Sequence, residues 1–389
     1  MRIQHVISSS ILFIGVLSVC QAGIFAPPAG QSGSTAVDAT DGSIEGWATG
    51  YQDYQPGVEV DTAFQTPEKA LGVPGNSDGN TDGFTFDIVS LGRNGSITLM
   101  FSPPIKDGPG SDFAVFENSF SDSFLEFAKV EVSTDGINFV GFPAFSLVPA
   151  TVSSFGAIDA TDVEQLAGKY RAGFGTPFDL AQLSGAPSLD LSEIRYVRLL
   201  DVVGDGTAPN ELTAQALADW LGLALNELPQ ALIDIAASAP SVVYDPYPTF
   251  DTAGFDLDAV GVIQQGVIPA SVAVNPFGGG SVDPEATVAV PVVLYSMSLA
   301  GGDLDELDAT DIDIATVRFG VNEAVPLGAP VEVDLDGDGL TDAGFMFQTQ
   351  DTGIACEDSS VLLVGVTNDG HDFDADALIA TPDCPTCHP

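Results

Sequence analysis

The amino-acid sequence predicts an all-β fold of two β-sandwich or jelly-roll domains, the first of which carries a helical insertion. Many short segments rich in β-branched and aromatic residues are separated by Gly, Pro, Asp and Asn, a pattern typical of sandwiches built from short strands. The chain has 389 residues, a length that suits two domains. Hydrophobic residues make up 45% and charged residues only 17%, so each domain can bury a core.

The first domain is predicted over residues 46–265. Its clearest strand signals are ITLMF (Ile97–Phe101), FAVFE (Phe113–Glu117), AKVEVS (Ala128–Ser133), YVRLLDV (Tyr196–Val202) and LDAVGVI (Leu257–Ile263). The dipeptide Asp135-Gly136 between strand signals favours a tight hairpin. Residues 23–45 are rich in Gly, Ser, Ala and Pro, and we expect them to form a flexible lead-in.

Residues 210–238 interrupt the strand pattern and form the predicted insertion. This stretch is rich in Ala and Leu, and Pro229 divides it. It predicts two helices, the second beginning near Pro229, because proline suits the first turn of a helix. We expect the helices to cover one end of the sandwich through an apolar stripe of Leu217, Trp220 and Leu221, and a partner-binding helix is the alternative.

The second domain is predicted over residues 266–389. Strand signals continue through TVRFG (Thr316–Gly320), FMFQT (Phe345–Thr349) and VLLVGV (Val361–Val366), and no helix signal stands out.

The N-terminus, residues 1–22, predicts a signal peptide. Arg2 precedes an apolar run from Val6 to Val19, and small residues follow at Cys20 and Ala22, which favours cleavage after Ala22. The run is too short to span a membrane comfortably, so we expect no span in the mature chain. These features predict an exported protein that is secreted, held at the cell surface or kept in the periplasm.

The charge balance excludes one class of partner and favours another. There are 55 acidic residues against 10 basic ones, a formal net charge of -45. Nucleic-acid binding is excluded, because no basic surface is available to neutralise phosphates. The excess of carboxylates favours cations instead.

The loop VDLDGDGLTD (Val333–Asp342) carries the strongest site signal. Its spacing predicts a calcium site, since calcium takes several carboxylate and carbonyl oxygens in flexible geometry. The predicted ligands are Asp334, Asp336, Asp338, the backbone carbonyl of Leu340, and Asp342 directly or through water. A helical calcium sensor would need a glutamate where Phe345 stands, and the flanking residues predict strands. We therefore expect a strand-loop-strand site.

A second loop, DGNTDG (Asp78–Gly83), matches the first half of this pattern. Asp78, Asn80 and Asp82 are possible metal ligands. The ninth position is occupied by Phe86, so an ordinary polar turn is the alternative.

The C-terminal cysteines allow two interpretations. Cys384 to His388 have the form C-x-x-C-H of a haem attachment site. His388 is the penultimate residue, so no chain follows to build a haem pocket. The alternative is a disulfide from Cys356 to Cys384 or Cys387, which would tie the last strand to the domain.

Catalysis has little support in the sequence. Only His371 and His388 remain after signal removal, so a Ser-His-Asp or Cys-His arrangement is poorly supplied. Carboxylate pairs of the kind used in glycoside hydrolysis are possible, although acids are abundant everywhere. We therefore expect a protein that is not an enzyme.

The chain resembles a known but uncharacterised family over about residues 50–263. The matching blocks include PEKALGVPG, VSLGRNGSITLMF, DFAVFENSF, VEVSTDGINF, VRLLDVVGDG and GFDLDAVGVI. They resemble bacterial exported cell-surface proteins, many of which carry a PEP-CTERM sorting tail. VSLGRNGSITLMF and VEVSTDGINF are also similar to discoidin or galactose-binding jelly rolls, which implies that fold. No sorting tail is found, which favours release or periplasmic retention over anchoring.

The C-terminal part resembles a β-domain found at the ends of secreted bacterial proteins. The matching stretches are IDIATVRFG and VDLDGDGLTDAGFMFQTQDTGIAC. In that pattern a cysteine after GIA occurs with one near the end, which implies a disulfide of Cys356, assigned here to Cys384, and not a haem.

These observations predict an exported, calcium-binding, non-catalytic protein with a structural or adhesive role. An extracellular glycan or a surface protein is the expected partner. The alternatives are a carbohydrate-binding module and an extracellular polysaccharide hydrolase.

Overall fold

The computed structural model describes residues 23–75, 85–248 and 254–381. The prediction of an all-β fold is confirmed. The predicted signal peptide, residues 1–22, lies outside the described residues. The strands before residue 265 are β1 (Val37–Asp38), β2 (Gly46–Trp47), β3 (Gly50–Gln55), β4 (Val89–Ser90), β5 (Ser96–Ile105), β6 (Phe113–Glu117), β7 (Ala128–Ser133), β8 (Val140–Gly141), β9 (Phe145–Ser146), β10 (Val163–Glu164), β11 (Phe174–Phe178), β12 (Ile194–Asp201) and β13 (Asp256–Val262).

The first sandwich packs two antiparallel sheets against each other. One has the order β1-β11-β6-β13-β2, with β4 also paired to β13, and the other has the order β3-β5-β12-β7-β8. A single hydrophobic cluster joins residues of β6 and β13 to residues of β5, β7 and β12. The core therefore lies between the sheets, as expected when each sheet has one apolar face.

Strand β7 shows how the sequence produces this arrangement. In AKVEVS the residues Ala128, Val130 and Val132 are buried in the core, while Lys129 and Glu131 are half-exposed between them. Side chains alternate between the two faces of a strand, so the alternating sequence places one face inward. Glu131 pairs across the sheet with Arg198 of β12.

Strand β6 is buried on both faces, and residues 23–45 provide the second cover. Ala114 and Phe116 point away from the main core into a smaller cluster with Ala39 and Trp47. Strand β1 pairs with β11, and Phe25 is buried. The segment predicted as a flexible lead-in is therefore packed, because its few apolar residues cover a sheet face that would otherwise be exposed.

The predicted helical insertion is present. Helix α1 (Ala214–Trp220) begins after Thr213, whose hydroxyl accepts the Ala216 N–H at 3.1 Å, and α2 (Gln230–Ser238) begins directly after Pro229. Trp220 packs edge-on against Phe25, with ring centroids 5.8 Å apart. Both helices cover the sandwich through one apolar cluster. None of the helices in the described part of the chain is long and apolar enough to cross a membrane.

A second pair of sheets follows residue 265. Its strands are β14 (Ile268–Pro269), β15 (Ser271–Val274), β16 (Ala289–Tyr295), β17 (Arg318–Phe319), β18 (Val331–Val333), β19 (Asp342–Gln348), β20 (Ser360–Val366) and β21 (Asp372–Leu378). The sheet orders are β14-β21-β20-β17 and β15-β16-β19-β18. In β21 Phe373, Ala375 and Ala377 are buried and the alternating aspartates are exposed. One hydrophobic cluster again joins the two sheets.

A buried ion pair connects the two sandwiches. Arg195 of β12 bonds Asp305, and both side chains are almost fully buried. The hydroxyl of Ser102 accepts the Glu306 N–H at 2.9 Å beside this pair. Burial raises the pKa of Asp305 even though Arg195 and Ser102 favour its charged form. Both charges have therefore lost water, and each depends on the other for compensation.

Removing one member of this pair should destabilise the protein strongly. We expect Asp305→Ala to lower the free energy of unfolding by about 3–5 kcal/mol, because it leaves a buried arginine without its partner. Glu193→Ala is the matched control, since exposed Glu193 lies 3.8 Å from the same guanidinium, and its effect should stay within about 1 kcal/mol. Urea unfolding of both variants measures the difference. Equal effects would contradict a buried, interdependent pair.

Candidate metal-binding sites

The predicted calcium loop is the tip of a β-hairpin. Strand β18 runs antiparallel to β19, and the pair Val333 and Asp342 closes the hairpin. Phe345 lies in β19 and is buried in the core. The loop is therefore flanked by strands, as its sequence predicts.

Three of the predicted ligands meet at this tip. Asp334, Asp336 and Asp338 each offer a carboxylate oxygen, and these oxygens all lie within 4.8 Å of one another. That span is about twice the calcium–oxygen distance, so one ion can contact all three. The three side chains are exposed and accessible to a cation from solvent.

Backbone amides of the loop hold all three carboxylates in place, and Asp336 accepts the N–H of Asp338 at 3.2 Å. Asp334 accepts the N–H of Gly337 at 2.7 Å and that of Gly339 at 3.2 Å. Asp338 accepts the N–H of Leu340 at 2.8 Å. Both glycines have positive φ, 86° and 97°, a conformation that other residues rarely adopt. The glycines thus allow the chain to curl around its own carboxylates.

Asp342, the last predicted ligand, lies at the base of the loop, and its role as a ligand, directly or through water, stays a prediction. It is fully buried and lies outside the group of three. Its two oxygens accept the N–H of Ser296 at 3.1 Å and that of Leu335 at 2.7 Å. Asp342 therefore anchors the base of the loop to the chain just after β16. The role of the Leu340 carbonyl as a ligand stays a prediction.

The loop carries unbalanced negative charge. The Asp338 N–H favours the charged form of Asp336, but partial desolvation and the charges of Asp338 and Asp342 outweigh it and raise the pKa of Asp336. Burial and the charges of Asp336 and Asp342 also raise the pKa of nearby Tyr295. An oxygen-only group with excess negative charge fits a hard divalent cation such as calcium.

The second predicted loop lies outside the described residues, and so do its candidate ligands Asp78, Asn80 and Asp82. Its flanks are described. Gly75 donates its N–H to Asp258 at 2.8 Å, and Thr85 donates to Asn118 at 2.9 Å.

Of the three cysteines in the predicted disulfide alternatives, the structure describes Cys356. Cys356 is disulfide-bonded, and its partner is not among the described residues. Cys384 and Cys387 both lie outside them, so the assignment to Cys384 stays a prediction.

A further group of carboxylates was not predicted from the sequence. Oxygens of Asp107, Asp112 and Asp179 lie within 4.8 Å of one another. Strand pairing brings them together, because Phe113 of β6 lies opposite Phe178 of β11. No spacing signal could reveal this, since Asp179 is remote in sequence. Asp112 is fully buried and accepts the N–H groups of Leu180 at 2.6 Å and Gly108 at 2.8 Å.

Aromatic residues that could stack on a sugar mostly serve local packing. Trp47 packs on Phe116 with ring centroids 5.5 Å apart, and the hydroxyl of Tyr54 donates to the Ser90 carbonyl. Tyr247 accepts a hydrogen bond from Arg93.

No protein-family model, curated protein or solved structure matches the chain. The family resemblance therefore stays a prediction, and a function has to be inferred from the residues themselves.

Asp112 should make stability depend on pH. Burial raises its pKa to about 7, against the opposing effect of its two amide donors. The folded state then keeps a proton that the unfolded state loses near pH 4, so the stability from Asp112 is lost as pH rises from about 4 to about 7. The variant Asp112→Asn cannot lose this stability, because its amide does not titrate. With chelator present, we therefore expect the urea midpoint of the wild type to fall relative to that of the variant between about pH 4 and about pH 7.

The exposed carboxylate of Asp205 provides the control. The pH dependence of Asp205→Asn should run parallel to that of the wild type, since Asp205 lies on the surface and its oxygen accepts only local hydrogen bonds from Thr207. Parallel curves for Asp112→Asn as well would contradict a raised pKa at Asp112.

Proposed function

We propose that the chain is an exported, calcium-binding, non-catalytic β-sandwich protein with a structural or adhesive role. The observation that carries this proposal is the convergence of Asp334, Asp336 and Asp338 at the tip of a hairpin. The acidic chain, the predicted signal peptide and the disulfide of Cys356 suit a protein that acts outside the cytoplasm.

Calcium would act here as a local clamp. Bound at the tip, it would supply positive charge that offsets the repulsion among Asp334, Asp336 and Asp338. Asp342 ties the same loop to Ser296 and Leu335 through its two oxygens. Fixing the loop would therefore also hold the β18–β19 hairpin against the neighbouring strand β16.

A second candidate function, carbohydrate binding, has one specific observation in its favour. Phe120 and Phe124 stack with ring centroids 4.6 Å apart, and Phe124 stacks on Phe155 at 5.7 Å. Phe120 is 58% exposed and Phe155 is 74% exposed. An exposed row of aromatic rings marks a surface for ligands, because the rings offer apolar faces on which sugar rings stack. We call this row the phenylalanine stack.

Calcium removal should destabilise the protein through the hairpin loop. A free calcium concentration 100 times the dissociation constant adds about 2.7 kcal/mol. Chelation should therefore lower the melting temperature of the wild type by about 5–10 °C, measured by circular dichroism or scanning calorimetry. Calcium bound at the hairpin loop accounts for part of this fall in melting temperature, and Asp336→Ala should remove most of that part.

The matched control is Asp376→Ala. Asp376 is an exposed aspartate of β21 in the same sandwich. Its variant should keep the full response to chelation. A wild type whose melting curve is the same in chelator and in calcium would refute the calcium proposal.

Glycan binding should depend on the phenylalanine stack if the second candidate is right. We expect the wild type to bind members of a glycan array in the presence of calcium, and Phe155→Ala to weaken that binding by about threefold to tenfold. Ile137→Ala is the control, because Ile137 is at least as exposed as Phe155 but lies apart on the hairpin turn after β7. Absence of any bound glycan, or equal binding by both variants, would exclude a sugar-binding role for the stack.

A further inference from the structure

One end of the first sandwich is closed by buried carboxylates. Strands β6, β7 and β12 point alternate side chains into the core. The same alternation carries Glu117, Glu126 and Asp201 inward at the end of the core. Asp201 lies opposite Ala128, the first residue of β7, so these strand ends are neighbours. Asp245 joins them, because its Oδ1 accepts the N–H of Phe127 at 2.9 Å.

Strand β13 adds two more carboxylates at this end. Leu257 pairs with Glu117, but Ala259 pairs with Phe116, so Asp258 is the extra residue of a β-bulge. Bulges re-aim side chains, often next to functional sites. Asp256 accepts a hydrogen bond from the Ser90 hydroxyl, and Asp258 accepts one from Gly75. We define the acidic layer as the five residues that are at least nine-tenths buried: Glu117, Glu126, Asp245, Asp256 and Asp258.

Glu126 has no partner for its charge. It is only 6% exposed, yet its carboxylate accepts no hydrogen bond and forms no ion pair with any residue in the described parts of the chain. Its charge is instead felt by Glu117 and Asp245, whose pKa values it helps to raise. Buried polar groups are almost always satisfied, so an unpartnered carboxylate aimed at other carboxylates points to a missing positive ligand.

Neighbouring basic groups do not supply that charge. Among described residues, Glu117, Glu126 and Asp245 form no ion pair with a Lys, Arg or His side chain. Burial first, and then the neighbouring carboxylates, raise the pKa of each of these three groups well above its ordinary value. Burial also raises the pKa of Asp201, but only to about 6, since it accepts two backbone N–H groups and lies near Arg93. The layer must therefore hold protons or a cation at neutral pH.

We propose that the acidic layer binds a second hard divalent cation of the calcium type, separate from the hairpin loop. The donors are all oxygens, and they come from two strands and two loops in an irregular arrangement. Calcium tolerates such geometry, whereas magnesium demands a near-ideal octahedron. Within the described residues, only the hairpin loop and the Asp107 group bring three carboxylate oxygens within 4.8 Å. Binding would therefore draw the acidic layer together, which the side chain of Glu126 permits because no hydrogen bond to a described residue holds it.

This site would also organise the phenylalanine stack. Glu117 and Glu126 stand at the two ends of one loop, and that loop carries Phe120 and Phe124. A cation held by both glutamates would fix both ends of the loop. The exposed rings would then be presented in one arrangement.

The decisive variant is Glu126→Gln in the full-length chain. Because Glu126 has no hydrogen-bond donor among the described residues, the amide removes a buried charge and breaks no observed bond. In chelator the variant should melt at the same temperature as the wild type or higher. In calcium it should melt lower than the wild type. A purely structural role for Glu126 would give the same difference in both conditions, and that result would overturn the proposal.

Calcium titration by calorimetry separates this site from the hairpin loop. In the Asp336→Ala background, the further change Glu126→Gln should remove one bound calcium or weaken it at least about tenfold. Glu285→Gln, at an exposed position, should leave the titration unchanged. Loss of binding with Asp336→Ala but not with Glu126→Gln would refute the acidic-layer site and leave the hairpin site standing. The reverse result would refute the hairpin site and leave the acidic layer standing.

Discussion

The whole structure depends on how one chain accommodates 55 acidic residues with only 10 basic ones. Ion pairs cannot balance most of these charges. Many aspartates instead accept a backbone N–H two residues along the chain, which compensates charge within a single turn. This bond occurs at Asp38, Asp41, Asp61, Asp159, Asp179, Asp190, Asp205, Asp308 and Asp313. Where several carboxylates share one space, as in the hairpin loop, their amide donors still leave unbalanced negative charge, and those places are the candidate cation sites.

The two candidate sites differ in how they would respond to their surroundings. The carboxylates of the hairpin loop are exposed, so salt screens their repulsion and water competes for any bound ion. The acidic layer is buried, where charges interact more strongly and are screened less. An ion in the layer would therefore be coupled to the fold of the first sandwich, while an ion at the hairpin would mainly order its own loop.

Local patterns in the sequence were enough to predict the strands and the hairpin site. The alternation in AKVEVS gives the inward face of β7, and the spacing of Asp334, Asp336 and Asp338 gives their convergence. Pairing between strands that are distant in the sequence could not be predicted from local patterns. Asp112 meets Asp179 only because β6 pairs with β11, and composition alone suggested that residues 23–45 were free. The continuous apolar run of β6 was the available hint that another segment had to cover it.

The ion pair between Arg195 and Asp305 makes the contact between the two sandwiches insensitive to salt. Both partners are shielded from solvent, so dissolved ions screen their attraction far less than that of a surface pair. The joint between the two sandwiches should therefore keep its stiffness in brine and in fresh water alike. The exposed hairpin tip would adjust to the salinity around it, so the protein would combine a rigid joint with a tip whose shape follows the medium.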